Sequence, residues 1–225
     1  MPRRLNPEVD FHQPRFMQIS ESHCGPAVIQ MLLSSLGVEV TQEEVAEEGG
    51  ATNLIEMNGM RVDQLAGAVQ RLAPKLCFYY KDHASLEELA RVVNDYRCPA
   101  GVEWQGLFED KAEQQVGETK SGLKEPAGLI VNSESEEEDF GHYSLVVRAD
   151  RRKRQVLIAD PYKDYFSQTR VFSFEEFDRR WYDYNEVPDP VSGESVLVKD
   201  DHLIFVVVRK NVRFPRGIGM KTFSF

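Results

Sequence analysis

The chain has 225 residues, 41% of them hydrophobic and 28% charged, a length sufficient for one domain with a substantial core. Its formal net charge is -10 and its pI is about 5.1, which disfavours nucleic acid as a partner because phosphate contacts depend on Lys and Arg. The longest apolar run, at 203–208, is far shorter than the roughly 18 residues of a membrane-spanning helix, so we expect no membrane partner.

The cysteine content argues against a secreted disulfide scaffold. Cys24, Cys77 and Cys98 cannot all pair, and the charged N-terminal residues have no apolar segment typical of a secretion signal. Free thiols in this context predict a cytoplasmic protein. No metal-ligand spacing relates these cysteines to three of the histidines, His12, His83 and His202. We therefore expect neither a metal nor another cofactor.

The first part of the chain is predicted to be helical. Apolar residues recur at steps of three and four from Cys24 to Leu36, and Gly37 tolerates the positive φ that ends a helix. The segment Thr41–Glu44 has the pattern of a capping box and predicts a second, short helix. A third helix is predicted from about Arg61 to Leu72, so three helices precede the first strand.

The middle of the chain mixes strands with one helix and a long polar segment. Leu76–Tyr80 and Ala100–Trp104 have the composition of strands, and Ser85–Glu88 is a capping box that opens a helix between them. The polar and acidic stretch at about 105–140 predicts a solvated, mobile insertion, with a lid or docking surface as the alternative. A short strand at 127–131 is an additional possibility within it.

The last third is predicted to be rich in β-structure. Strands are expected at 142–148, 155–159, 170–172 and 203–208, with a charged turn at 150–154 and a helix that begins near Ser173. Helices followed by an antiparallel sheet indicate an α+β fold. We expect a single domain at 16–208, an N-terminal extension at 1–15 and a C-terminal tail at 209–225.

Cys24 is the candidate nucleophile, at the start of the first predicted helix. A thiol attacks a carbonyl carbon as the thiolate, and an unperturbed cysteine with a pKa of about 8.5 provides only a few per cent of it at neutral pH. The first turn of a helix favours an anion through its exposed N–H groups and its dipole, and Pro26 suits this first turn. The alternative is that Cys24 is a plain core residue, because free cysteines are commonly buried.

His142 and Asp160 are the candidate base and its orienting carboxylate. His142 begins one predicted strand and Asp160 ends the next, and the turn between these strands brings the two positions side by side in an antiparallel hairpin. Asp164 is a rival for the orienting role. Gln18, six positions before Cys24, is the candidate for a side-chain amide that binds an oxyanion together with the backbone N–H of Cys24.

These residues carry a family resemblance. Gln18, the segment Cys24–Ala27, the segment Gly141–Tyr143 and the segment Ile158–Pro161 occur in this order and resemble the papain-like double-glycine leader peptidases that process bacteriocin precursors, and their stand-alone relatives. The resemblance covers most of 16–208. It implies a papain-like fold in which N-terminal helices pack on a C-terminal antiparallel sheet. The polar insertion looks longer than the family's usual connection.

The resemblance also implies a function. The corresponding family residues are an oxyanion glutamine, a nucleophilic cysteine, a base histidine and an orienting aspartate, which assigns these roles to Gln18, Cys24, His142 and Asp160. We therefore expect a cysteine peptidase that cleaves a peptide or protein substrate through a thioester acyl-enzyme. The alternatives are a thiol acyltransferase on the same fold and a peptide-binding module without turnover.

Overall fold

The computed structural model describes residues 13–53, 55–106, 141–188, 194–212 and 216–223. Most of the predicted N-terminal extension lies outside the described residues. From position 107 onward the same holds for the predicted insertion, including the possible strand at 127–131.

Among the described residues, four helices precede the first strand: α1 (Cys24–Ser35), α2 (Gln42–Glu48), α3 (Ile55–Asn58) and α4 (Val62–Leu72). The sequence prediction of three helices omitted α3, because a helix of four residues is too short to show a hydrophobic period. The predicted end signals are present, since Gly37 follows α1 with a φ of 82° and Thr41 forms a complete capping box with Glu44 at α2.

The other elements in the described part of the chain are two α-helices, eight strands and a 3₁₀ helix at Arg216–Ile218. The α-helices and strands are β1 (Leu76–Lys81), α5 (Leu86–Ala90), β2 (Ala100–Gln105), β3 (Gly141–Asp150), β4 (Gln155–Ala159), β5 (Thr169–Ser173), α6 (Phe174–Arg180), β6 (Tyr182–Pro188), β7 (Ser195–Asp201) and β8 (Ile204–Arg209). One π-helical turn, Arg91–Asp95, extends α5. Six strands form one sheet in the order β1-β8-β2-β3-β4-β5, and all neighbouring pairs are antiparallel. This arrangement confirms the α+β class.

Alternate residues of the sheet belong to two separate cores, as the strand period of two requires. Tyr143 and Leu145 of β3 lie in the core that contains α1 and α4. Val146 of β3 and Trp104 of β2 lie in the other core, with α5 and α6. The sheet is therefore covered on both faces, and α1 reaches it from the face that holds Tyr143. No helix in the described part of the chain is long and apolar enough to cross a membrane.

A two-stranded ribbon of β6 and β7 is a feature that the sequence did not predict. Most side chains of β7 are exposed, with Leu197 at 65% exposure, so the alternation that identifies a half-buried strand is missing. The ribbon contacts the main sheet through Asp183, whose carboxylate lies directly against Gly141 at the start of β3. It therefore borders the strand that carries His142.

The described part of the predicted C-terminal tail packs on the main sheet. Lys221 exchanges two backbone hydrogen bonds with Tyr80 of β1, of 2.8 and 2.9 Å. The ring of Phe223 stacks on that of Tyr80 with a centroid distance of 4.1 Å, and Ile218 is fully buried. These residues cover the β1 edge of the sheet.

Candidate active site

The β3–β4 hairpin places His142 beside Asp160. β3 begins one residue before His142, β4 ends one residue before Asp160, and Leu145 pairs with Ala159 in the antiparallel register. The Nε2 atom of His142 lies 2.8 Å from Oδ1 of Asp160, and both side chains are buried. The structure therefore brings the predicted base and carboxylate into hydrogen-bond contact.

Cys24 is the first residue of α1 and is 8% exposed. A hydrogen bond between its side chain and His142 is among the interactions that raise the pKa of the imidazole. Because Nε2 of His142 is bound to Asp160, the other ring nitrogen, Nδ1, is the one available to the thiol. Thiol, imidazole and carboxylate thus form one connected row.

Charge controls the protonation of this row. Burial disfavours the imidazolium, but the charge of Asp160 and its hydrogen bond outweigh burial and raise the pKa of His142 to about 9. Burial likewise disfavours the carboxylate, but His142 and the Arg170 guanidinium lower the pKa of Asp160 to about 2. At neutral pH the pair is therefore an imidazolium and a carboxylate, and an imidazolium is the partner that favours a thiolate.

Asp160 has two further partners that the sequence analysis did not identify. The backbone N–H of Tyr162 donates to Oδ1 over 2.9 Å, and Nη1 of Arg170 donates to Oδ2 over 2.6 Å. Arg170 lies on β5 opposite Ile158 in the register, two residues before Asp160. The sequence predicted both strands, 155–159 and 170–172, and pairing them would have placed Arg170 close to Asp160.

Gln18 is connected to both sides of the site. Its backbone N–H donates to the carbonyl of Pro161 over 2.9 Å, next to Asp160. Its side-chain nitrogen, Nε2, donates to the carbonyls of Ser20 and Glu21 at 2.8 and 3.1 Å. The amide oxygen is buried and has no hydrogen-bond partner among the described residues. Gln18 therefore shapes the loop that leads to Cys24.

Gln42 is a buried polar residue that supports the segment around Gln18. Its Oε1 accepts from the backbone N–H of Ile19 at 3.0 Å, and its Nε2 donates to the carbonyl of Met17 at 2.8 Å. The side chains of Met17 and Ile19, on either side of Gln18, are 47% and 52% exposed. The sequence showed Gln42 only as part of a capping box, so its long-range role was missed.

The contacts of one candidate carboxylate and of the glycine after Cys24 also bear on the site. Asp160 rather than its rival Asp164 contacts His142. Gly25 packs against Leu65 and Tyr143, so its missing side chain serves the contact between α1 and the core. Among the described residues, no group of three or more His, Cys, Asp or Glu is arranged to hold a metal ion.

Comparison with solved structures establishes the fold. The chain is similar to the peptidase domain of Streptococcus ComA, a bi-functional ABC transporter involved in a quorum sensing pathway, with a TM-score of 0.54 and 16% identity over 88% of this chain and 100% of that one. It is also similar to a double glycine motif protease from an AMS/PCAT transporter in complex with the leader peptide, with a TM-score of 0.51 and 16% identity over 88% and 91% of the two chains.

A third similar structure is described as a C39-like peptidase from Bacillus anthracis, with a TM-score of 0.50 and 16% identity over 88% of this chain and 96% of that one. These likenesses confirm the papain-like α+β fold predicted from the sequence. A search of the curated proteins finds no match. The family model of the Peptidase_C39-like family matches residues 12–188. Because that match spans most of the chain, this protein belongs to the Peptidase_C39-like family, a family of cysteine peptidase-like proteins.

Proposed function

We propose that the protein is a cysteine peptidase in which Cys24 is the nucleophile, His142 the general base and acid, and Asp160 the orienting carboxylate. The observation that carries this proposal is the buried imidazole of His142, which is hydrogen-bonded both to the Asp160 carboxylate and to the thiol at the start of α1. Such a row has the connections that an activated thiol requires.

In the proposed reaction, the proton of Cys24 already lies on Nδ1 of His142 in the resting site, which forms a thiolate–imidazolium pair, and the thiolate attacks the carbonyl carbon of a peptide bond. The imidazolium then gives this proton to the departing amine, which leaves a thioester on Cys24. A water molecule, deprotonated by His142, attacks the thioester and releases the acid and the free thiol. Asp160 keeps its charge throughout and stabilises the imidazolium.

The oxyanion would be bound by the backbone N–H of Cys24 and by the side chain of Gln18. Both N–H bonds of Gln18 Nε2 point to backbone carbonyls, of Ser20 at 2.8 Å and of Glu21 at 3.1 Å. Donation to an oxyanion would replace one of these two bonds, and we propose that it is the longer one, to Glu21. Gln18 would then act on the substrate only when a tetrahedral intermediate forms.

We propose a peptide as the substrate. One structural neighbour was solved with a leader peptide, and its fold is the one found here. The side chains of Met17 and Ile19 flank Gln18 in the sequence and are exposed, so they offer apolar contacts to an extended peptide. Hydrolysis and acyl transfer share the thioester, so the product formed after the thioester distinguishes a peptidase from a thiol acyltransferase.

The proposal is tested with an electrophilic peptide that reacts with activated thiols, followed by mass spectrometry of the labelled site. We expect labelling at Cys24 in the wild-type chain and none at this position in Cys24→Ala. His142→Gln should lower the labelling rate on the order of 100-fold or more, because it removes the base. The matched controls are Cys77→Ala and Cys98→Ala, which should label as the wild type does.

Labelling that persists in Cys24→Ala and falls in Cys77→Ala or Cys98→Ala would overturn the assignment of the nucleophile. Burial raises the pKa of Cys98 to about 11, so its thiol should react slowly at neutral pH. A chain that binds the peptide and leaves all three thiols unlabelled would instead be a peptide-binding module.

A further inference from the structure

We propose that Arg170 is a positioning residue of this site. Its guanidinium binds Oδ2 of Asp160 and so turns Oδ1 toward His142, while its charge offsets that of the carboxylate. The inference rests on the proposed roles of Cys24, His142 and Asp160. It adds a fourth member to the row of side chains.

The geometry of the carboxylate supports this role. Oδ1 of Asp160 accepts from Nε2 of His142 at 2.8 Å and from the backbone N–H of Tyr162 at 2.9 Å, which leaves Oδ2 for Arg170 at 2.6 Å. The side chain of Asp160 is completely buried and that of Arg170 is 9% exposed. Charge-assisted hydrogen bonds from two sides fix the rotation of a carboxylate more firmly than one bond does.

Aromatic rings hold the guanidinium in place. Its central carbon lies 3.9 Å from the ring centroid of Tyr165 and 4.9 Å from that of Phe172, distances at which a cation is attracted by a π face. Trp104 lies at 5.8 Å. A planar guanidinium can stack and donate at the same time, which an ammonium group cannot.

The charges along the row supply the second argument. In the reactive state Cys24 is negative, His142 positive, Asp160 negative and Arg170 positive, so the buried row is neutral. Without Arg170 the row carries one negative charge in a buried site. The unbalanced charge of Asp160 would then stabilise the imidazolium more strongly, and transfer of the Nδ1 proton of His142 to the departing amine would be slower.

The test uses three substitutions of Arg170 and one matched control in the full chain. Arg170→Met removes charge and donors, Arg170→Gln keeps a donor without charge, and Arg170→Lys keeps the charge. The control is Arg154→Met, which removes an arginine–carboxylate contact with Glu175 of the same N–O distance, 2.6 Å, at the surface. The first readout is the titration of His142, followed by NMR of histidine-labelled protein and assigned by the signal that His142→Gln loses.

We expect Arg170→Met and Arg170→Gln to raise the pKa of His142 by roughly one unit, since a nearby positive charge is lost. The kcat for peptide cleavage should fall roughly 10-fold or more with little change in KM, because a misplaced base affects the chemical step. Arg170→Lys should leave the His142 titration near that of the wild type and lower kcat less. Arg154→Met should change neither quantity.

The proposal is overturned if the pKa of His142 in Arg170→Met and in Arg170→Gln equals that in Arg154→Met. Should Arg170→Met fail to fold, the pair Arg170→Lys and Arg170→Gln decides, because these variants differ in charge and both retain a donor. The titration requires no turnover. A wild-type chain in which Cys24 resists the electrophilic peptide would therefore defeat the proposed function and still leave the link from Arg170 to His142 measurable.

Discussion

Asp160 accepts hydrogen bonds from His142, Tyr162 and Arg170 while only 1% of it is exposed to solvent. A buried carboxylate is stable as an anion when several donors surround it, which is the case here. The same donors fix its orientation. The hydrogen-bond donors around the end of β4 thus determine both the position and the charge of Asp160.

We expect Asp160→Asn to lower kcat on the order of 100-fold or more, because an uncharged amide stabilises the imidazolium poorly. The pKa of His142 should fall, because burial disfavours the imidazolium and the negative charge of Asp160 no longer compensates for it. Steady-state kinetics and the histidine NMR titration measure the two effects. Asp164→Asn is the matched control, and an equal loss of kcat in that variant would contradict the assignment of Asp160.

The His142–Asp160 pair also predicts a pH dependence of stability. The pKa of His142 is raised to about 9, so its contribution is complete below the unfolded-state value of about 6.5 and is lost as the pH rises through 9. The pKa of Asp160 is lowered to about 2, so its contribution is complete above about 4 and is lost as the pH falls toward 2.

Urea unfolding of the wild type and of His142→Gln measures the loss of stability at alkaline pH. The difference in free energy of unfolding between the two chains should be constant near pH 5 to 6 and should narrow from about pH 6.5 to beyond pH 9. His83→Gln is the control, because the His83 side chain is 77% exposed and its contact with Asp201 is at the surface. A difference for His142→Gln that stays constant up to pH 10 would disprove the ion pair.

At the scale of residues, the sequence predicted the three side chains Cys24, His142 and Asp160. It did not predict the neighbouring residues that fix their positions. The positions of His142 and Asp160 were sufficient to propose their contact, because a hairpin brings its two ends together, and Cys24 was added from its place at a helix start and from the family resemblance. Arg170 was not foreseen, since its role depends on β5 and on rings from separate parts of the chain. The two carbonyl contacts of Gln18 depend on the path of a loop, which the residue types do not determine.

At the scale of elements, the close approach of β2 and β8 depends on Gly101. A Cβ atom at this position would collide with the ring of Phe205, its partner in the register. That ring is held by Phe78, with a centroid distance of 5.2 Å, and by Tyr143 at 5.9 Å. The ring therefore has little freedom to move aside.

We expect Gly101→Ala to lower the free energy of unfolding by about 1–3 kcal/mol through overpacking. Gly217→Ala is the matched control, because a Cβ atom there meets no other atom within 4 Å. Urea unfolding curves of the two variants give the comparison. Equal midpoints would show that Phe205 can adjust without cost.

Elements with a clear hydrophobic pattern were predicted best. The helical period and the capping boxes identified α1, α2 and α4 to within about two residues, as helix-end signals allow. The ribbon of β6 and β7 was not predicted, and in β7 exposed residues on both faces give no alternation. Its position beside Gly141 follows from tertiary contacts alone.

At the scale of the whole molecule, the C-terminal residues 216–223 cover the β1 edge of the sheet, away from the β3–β4 hairpin that carries the site. Ile218 is fully buried in the core shared with α5 and α6, and Nζ of Lys81 donates to its carbonyl over 2.9 Å. The strand order places β1, which these residues cover, three positions away from β3. This contact therefore supports the fold without bordering the site.

We expect Ile218→Ala to reduce the free energy of unfolding by about 2–4 kcal/mol, the usual range for a large-to-small change in a core. Activity below the unfolding transition should equal that of the wild type. Met220→Ala, at a half-buried position two residues further on, should cost less. Thermal unfolding and kcat are the measurements, and a loss of kcat in the folded Ile218→Ala chain would show coupling between the two ends of the sheet.

The β3–β4 hairpin has a consequence for the order of folding. His142 and Asp160 are 18 residues apart and meet through a local contact, whereas Cys24 and Gln18 come from a distant part of the chain. Local contacts cost less loop entropy and form earlier than distant ones. His142 and Asp160 can therefore pair while Cys24 is still remote. In the proposed mechanism, Cys24 gains His142 as its base only when α1 docks on the sheet, so a partly folded chain would hold no activated thiolate that could attack its neighbours.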